Sequence, residues 1–143
     1  MSCIIAFDFG KQRTGIAIAN SLTQIATPHS TLNSYNQQPH WEKITQLLDE
    51  WKPQQLVVGV PYYLDGSSSE MTQAALRFSR QLEGRYNLPV DTINEQLSSR
   101  EAESRLKSAR QQGRKKKINK GEIDQLAAAI ILESWFQAGK YNG

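Results

Sequence analysis

The chain has 143 residues, with 17 lysines and arginines against 14 aspartates and glutamates, a formal charge of +3 and 38% hydrophobic residues. That length suits one domain, 1–143, with room for a real core, and 22% charged residues with strong apolar periodicity exclude wholesale disorder. The lone Cys3 excludes an internal disulfide and fits a reducing, cytoplasmic setting, while no signal-like start and no run near ~20 apolar residues points to a leader or a membrane span.

Residues 3–9 (CIIAFDF) read as a strand buried on both faces. Residues 14–20 (TGIAIAN) read as a second strand, joined to the first by the short polar GKQR, so the pair predicts a hairpin. ATPHSTLN (26–33) predicts a weaker third strand, and Pro28 suits a sheet edge because it has no N–H to donate. Trp41, Ile44, Leu47, Leu48 and Trp51 recur at helical spacing, and Lys52-Pro53 stops that helix. QLVVGV (55–60) reads as a buried parallel strand, and the following loop turns at Asp65-Gly66. Ser67 and Glu70 have capping-box spacing before a helix whose apolar face is Met71, Ala75, Phe78, Leu82 and Tyr86. PVDTI (89–93) predicts a fifth strand, and Ser98 with Glu101 starts a helix to about Gln112. A last helix, from about Gly121 to Ala138, carries a stripe of Ile123, Leu126, Ala127, Ile130, Ile131 and Trp135. His29 and His40 read as surface or turn residues.

The order is βββαβαβαα. Antiparallel strands followed by strand–helix alternation predict an α/β fold with a five-stranded mixed sheet flanked by helices, the first strand central and the fourth and fifth parallel to it. That is the layout of a ribonuclease H-like domain, and layout alone does not specify function.

Charge and acids say more. Residues 105–120 hold eight bases and no acid: Arg105, Lys107, Arg110, Arg114, Lys115, Lys116, Lys117 and Lys120. The remainder holds nine bases and fourteen acids, so the basic segment is a directed footprint for a polyanion such as nucleic acid. Arg110, Arg114, Lys115, Lys116, Lys117 and Lys120 are candidate nucleic-acid contacts, with Arg13 in the first hairpin. Asp8 ends the central strand, Glu95 follows the fifth, and Asp124 lies near the start of the last helix. Sites in open α/β sheets lie at the carboxyl ends of strands. Three carboxylates meeting there would repel unless a cation sat among them, and Mg²⁺ or Mn²⁺ suits oxygen ligands and phosphodiester hydrolysis. Gly10 is expected to let a bulky substrate approach the backbone near Asp8, and Glu95, one strand further out than the fourth, must reach across to it.

The stretches AFDFGKQRTGIAIA (6–19), VVGVPYYLDG (57–66), NEQLSSREAESRL (94–106) and NKGEIDQLAAAIILESWF (119–136) resemble the RuvX/YqgF family of small bacterial proteins, over nearly the whole chain. The resemblance implies a ribonuclease H-like nuclease, a hydrolase of phosphodiester bonds that trims the 5′ end of the 16S rRNA precursor or acts like a Holliday junction resolvase. It implies that Asp8, Glu95 and Asp124 are the catalytic and metal-binding acids. Where the family commonly has Asp-Glu-Arg, this chain has Asn94-Glu95-Gln96, so the acid is kept without its charged neighbours.

Other readings differ in class. Asp8-Phe9-Gly10 has the letters of a kinase magnesium motif, but the glycine-rich and His-Arg-Asp loops are missing. DFGKQRTG has the shape of the phosphate hairpin of two-domain ATPases, and this chain has room for one domain. A non-catalytic nucleic-acid-binding protein needs only the basic segment. Tyr62 and Tyr63 could stack on bases or pack in the core. Trp135 and Phe136 point to different faces of the last helix, leaving at most one for a partner, so a monomer or weak dimer is expected.

Overall fold

The computed structural model describes residues 2–95, 104–105, 107–108 and 119–139. Five strands form one sheet: β1 (Cys3–Phe9), β2 (Arg13–Asn20), β3 (Ala26–Asn33), β4 (Gln55–Val60) and β5 (Val90–Asn94). Their order is β3-β2-β1-β4-β5, with β1–β2 and β2–β3 antiparallel and β1–β4 and β4–β5 parallel. The central first strand, the edge position of the Pro28 strand and the parallel fourth and fifth strands are all as the apolar pattern predicts. The helices are α1 (Trp41–Trp51), α2 (Glu70–Tyr86) and α3 (Lys120–Gln137). Residues 104, 105, 107 and 108 are helical, and the rest of the helix expected over 98–112 lies outside the described residues.

Alternation along β1 divides its side chains between two layers. Ile5 and Phe7 join Ile44 and Leu48 of α1 and Ala75, Phe78 and Leu82 of α2. Rings dominate this layer, with Phe9 stacked on Phe78 at 4.7 Å and Phe7 edge-on to it at 5.5 Å. Ile4 and Ala6 face the other way, onto Ile131, Leu132 and Trp135 of α3. The surface under α3 is built from small residues, including Ala6, Ala17 and Ala19, so the helix lies close and touches all five strands. Its burial exceeds a stripe: Ala127 to Leu132 are all buried, because three consecutive alanines let successive faces approach their surroundings.

One local expectation changes, and His40 takes a turn position as expected. The start of α2 is not set by Ser67 and Glu70: Ser69 is the N-cap, in a reciprocal box with Thr72. Ser67 instead bonds Asp65 inside the loop. Thr72 is wholly buried and its hydroxyl also donates to the Pro61 carbonyl, which ties the box to the end of β4. His40 caps α1 by accepting from the Lys43 N–H through Nδ1. Of the two aromatics, Trp135 is spent inside the chain, while Phe136 is half-buried. Trp135 is buried and donates from Nε1 to Asp91 Oδ2 at 2.9 Å, and Phe136 packs edge-on against its ring.

At the pole where β1 begins, an apolar groove of about 530 Å³ is lined by Cys3, Ile18, Ile25, His29 and Trp51. No described helix is long and apolar enough to cross a membrane. The Trp135 bond gives a test of how α3 is anchored. Trp135→Phe keeps an aromatic ring but removes the donor to Asp91, and should lower unfolding free energy by about 1–3 kcal/mol in urea titration.

Candidate active site

Asp8 lies on the α3 side of β1, in step with Ile4 and Ala6. Its register partners are Gly15 on β2 and Gly59 on β4. The two glycines meet different needs. A Cβ at Gly15 would stand 2.0 Å from the backbone oxygen of Asp124, so only glycine lets α3 descend onto β2. A Cβ at Gly59 would stand 2.8 Å from Glu95 Oε2 and 2.3 Å from Ile131 Cδ1. Gly59 therefore opens the lane through which Glu95 crosses over β4.

That lane resolves the question of reach. β5 is two strand spacings from β1, roughly 10 Å. Asp91 and Ile93 face α3, and Glu95, two residues on, continues that alternation; its N–H extends the ladder by bonding the Val60 carbonyl at 3.1 Å. With no side chain at Gly59, the Glu95 carboxyl hydrogen-bonds that of Asp8. Two carboxyls in such contact hold a proton between them or a cation. Burial raises the Asp8 carboxyl to about 6, the Glu95 hydrogen bond opposes that rise, and the nearby Asp124 charge adds to it.

Asp124 is close enough for its charge to be felt at Asp8, yet its carboxylate is engaged elsewhere. Arg13 donates from Nε to Asp124 Oδ2 at 2.7 Å, across 111 residues of sequence. The pair is mostly covered, with side-chain exposures of 30% and 20%. Among the described residues no three His, Cys, Asp or Glu side chains converge as a ready metal cage. The donors nonetheless fit a hard divalent cation: Asp8 and Glu95 offer oxygen ligands in contact, in an environment that penalises bare negative charge. Asp124 can join them by side-chain rotation, with its backbone already against Gly15.

The remaining candidates separate. Lys120 is exposed at the start of α3 and makes no ion pair among the described residues. Arg13, read from sequence as a phosphate contact, holds Asp124; nothing in the sequence connects two residues so far apart. Arg110, Arg114, Lys115, Lys116 and Lys117 lie outside the described residues, and Arg105 of the same segment bridges Glu133 at 2.9 Å. Gly10 serves the hairpin: a Cβ there would stand 2.7 Å from the Arg13 carbonyl oxygen. The two loop tyrosines split, Tyr62 packing on the α1–α2 core and Tyr63 exposed at 59% beside Leu64 at 84%.

Sheet order and paired carboxyls at the carboxyl end of its central strand define a ribonuclease H-like α/β protein. The same fold is seen in Thermus thermophilus RuvC bound to a Holliday junction (TM-score 0.59, 17% identity, covering 98% of this chain and 96% of that one). It is seen again in the fowlpox virus resolvase–junction complex (TM-score 0.57, 12% identity, covering 98% and 99%). The model of the RuvX family, described as "Holliday junction resolvase", matches residues 2–138, and the chain belongs to that family. A protein of Methylobacillus flagellatus is 44% identical over 134 residues, covering 94% of this chain and 90% of its own, and is named "Putative pre-16S rRNA nuclease". A Paraburkholderia phymatum protein of the same name is 43% identical over 140 residues, covering 98% and 88%.

Two substitutions separate the glycine roles. Gly15→Ala collides with backbone and should cost at least the ~1–3 kcal/mol typical of overpacking. Gly59→Ala meets side chains rather than backbone, Glu95 and the buried Ile131, so it should cost packing energy of about 1–3 kcal/mol, displace Glu95 and weaken Mn²⁺ binding in calorimetric titration. Wild-type Mn²⁺ affinity in folded Gly59→Ala protein would show that Glu95 does not depend on that lane. Asp8 supplies a pH test. Its folded value lies above the ordinary 3.8, so the folded state keeps a proton that the unfolded state has lost between about pH 4 and 6. Wild-type stability therefore falls as pH rises through that window. In EDTA, Asp8→Asn should be more stable than wild type at pH 7.5, by on the order of 2 kcal/mol, with the gain gone near pH 4.

Proposed function

We propose that the protein is a metal-dependent nuclease that hydrolyses phosphodiester bonds and acts in 5′-end maturation of the 16S rRNA precursor. The observation that carries this reading is the Asp8–Glu95 carboxyl contact at the carboxyl end of the sheet, with Asp124 beside it, in a chain of the RuvX family. Relatives above 40% identity carry the rRNA-nuclease name over nearly their whole length.

Asp8 and Glu95, joined by Asp124, would hold Mg²⁺ or Mn²⁺. Once bound, such an ion lowers the pKa of a water and offsets charge on the leaving oxygen. The chain's own groups do the rest. Asp8 and Glu95 are the oxygen ligands, and a bound cation would offset the cost of holding their charges side by side in a covered place. Lys120 and the basic segment, including Arg110, Arg114, Lys115, Lys116 and Lys117, attract and position the phosphate backbone. Tyr63 and Leu64, exposed on the loop after β4, offer a platform for unpaired bases.

Junction resolution is the second reading, favoured by the family description. It calls for two symmetric nicks and hence two sites fixed across a two-fold interface. Trp135 is buried within the chain and Phe136 is half-buried against its ring, which leaves α3 little apolar surface to anchor such an interface. We therefore favour a monomer or weak dimer cutting flexible RNA one strand at a time. Purified protein should cleave precursor 16S rRNA only with Mg²⁺ or Mn²⁺, and Asp8→Asn should reduce the rate by at least about 100-fold while retaining RNA binding. Symmetric nicking of a synthetic four-way junction by a tight dimer, with the RNA left intact, would establish the resolvase reading instead.

A further inference from the structure

From the placement of Arg13 we infer that it is a latch on the metal site: it holds Asp124 away from Asp8 and Glu95 until a nucleic-acid phosphate draws it off, so that metal and nucleic acid bind cooperatively. This rests on the nuclease reading of the same acids.

Three observations meet here. Asp124 lies near enough to Asp8 for its charge to act there, yet no three carboxylates among the described residues converge as a metal cage. What occupies Asp124 is a single bond from Arg13 Nε to Oδ2 at 2.7 Å. That bond uses one of five guanidinium donors, and the terminal amines make no other hydrogen bond or ion pair among the described residues. A guanidinium with an unused fork and 30% exposure is suited to take a phosphate in two parallel bonds.

The mechanical parts also fit. The backbone of Asp124 is set by the packing of α3, whose carbonyl at this position lies directly against Gly15 and whose neighbouring turn accepts from Thr31 at Gly121. Side-chain rotation leaves the helix in place and moves one carboxylate. Arg13 begins β2, whose next residues Thr14 and Gly15 pair with Phe9 and Asp8. Its backbone is therefore as fixed as the site, and only its side chain exchanges partners. Lys120 stands one helical turn before Asp124, is exposed and makes no ion pair among the described residues, so a second cation on the same helix end is available to a phosphate. An exchange in which Arg13 passes from Asp124 to phosphate gives each ligand a larger affinity when the other is present, by one common factor.

The test is Mn²⁺ binding followed by electron paramagnetic resonance, with and without a short fully 2′-O-methylated RNA. The proteins are wild type, Asp8→Asn and Arg13→Gln. Asp8→Asn reports whether the ion occupies the proposed site at all. For wild type, the oligonucleotide should tighten Mn²⁺ binding about fivefold or more, and Mn²⁺ should tighten oligonucleotide binding by the same factor. Arg13→Gln should bind Mn²⁺ about fivefold tighter than wild type without RNA, and its coupling should shrink to the residual attraction between ion and phosphate. Arg13→Gln binding Mn²⁺ no tighter than wild type, or keeping full coupling, overturns the latch while an Asp8-dependent signal leaves the nuclease site standing. Mn²⁺ binding unaffected by Asp8→Asn overturns both.

Discussion

A carboxylate in the middle of a helix-covered sheet needs space on either side of it, and Asp8 has that space because both of its register partners are glycine. One gap admits the backbone of α3 and the other admits the side chain of Glu95. Filling either would move an acid. The rest of the molecule follows from this allocation of volume. In the α1–α2 layer Phe9 and Trp41 stack on Phe78 and Phe7 meets it edge-on, while alanines pave the strand face beneath α3. A close-packed interior leaves little freedom to trade volume between these layers.

The position of α3 is held by polar contacts near both ends as well as by burial. Toward its start, Asp124 meets Arg13, and Thr31 donates to the Gly121 carbonyl at 2.7 Å. Toward its end, Trp135 donates to Asp91 and Glu133 meets Arg105. A helix so held delivers Asp124 to one place on the sheet. The cost appears at Asp8, whose carboxyl is driven upward by burial and by its neighbour's charge. Gathering acids at a half-buried sheet end opposes stability and favours a bound cation, the usual tension of an active site.

Much of this was legible in the residues themselves. Apolar runs located all five strands, and Pro28 and the two-sided burial of CIIAFDF placed the third at an edge and the first at the centre. The three acids were legible as residues at strand and helix ends. The capping box was placed two residues early because Ser67, Ser68 and Ser69 all suit an N-cap, and only the bond from Thr72 to the Pro61 carbonyl selects among them. Burial on α3 extends beyond even its wide apolar stripe to Ala128, Ala129 and Leu132, since alanines carry little periodic signal yet bury on any side.

The sequence alone determined which segments are strands, which are helices and which acids fall at the carboxyl ends of the sheet, because periodicity and turn chemistry are local. Tertiary structure decided how those acids relate: that Glu95 crosses over Gly59, that Asp124 is engaged by Arg13 and that Trp135 is spent on Asp91. Each depends on contacts between residues 36 to 111 positions apart. Distances of that kind are set by strand register and helix placement, which pattern within a segment does not encode.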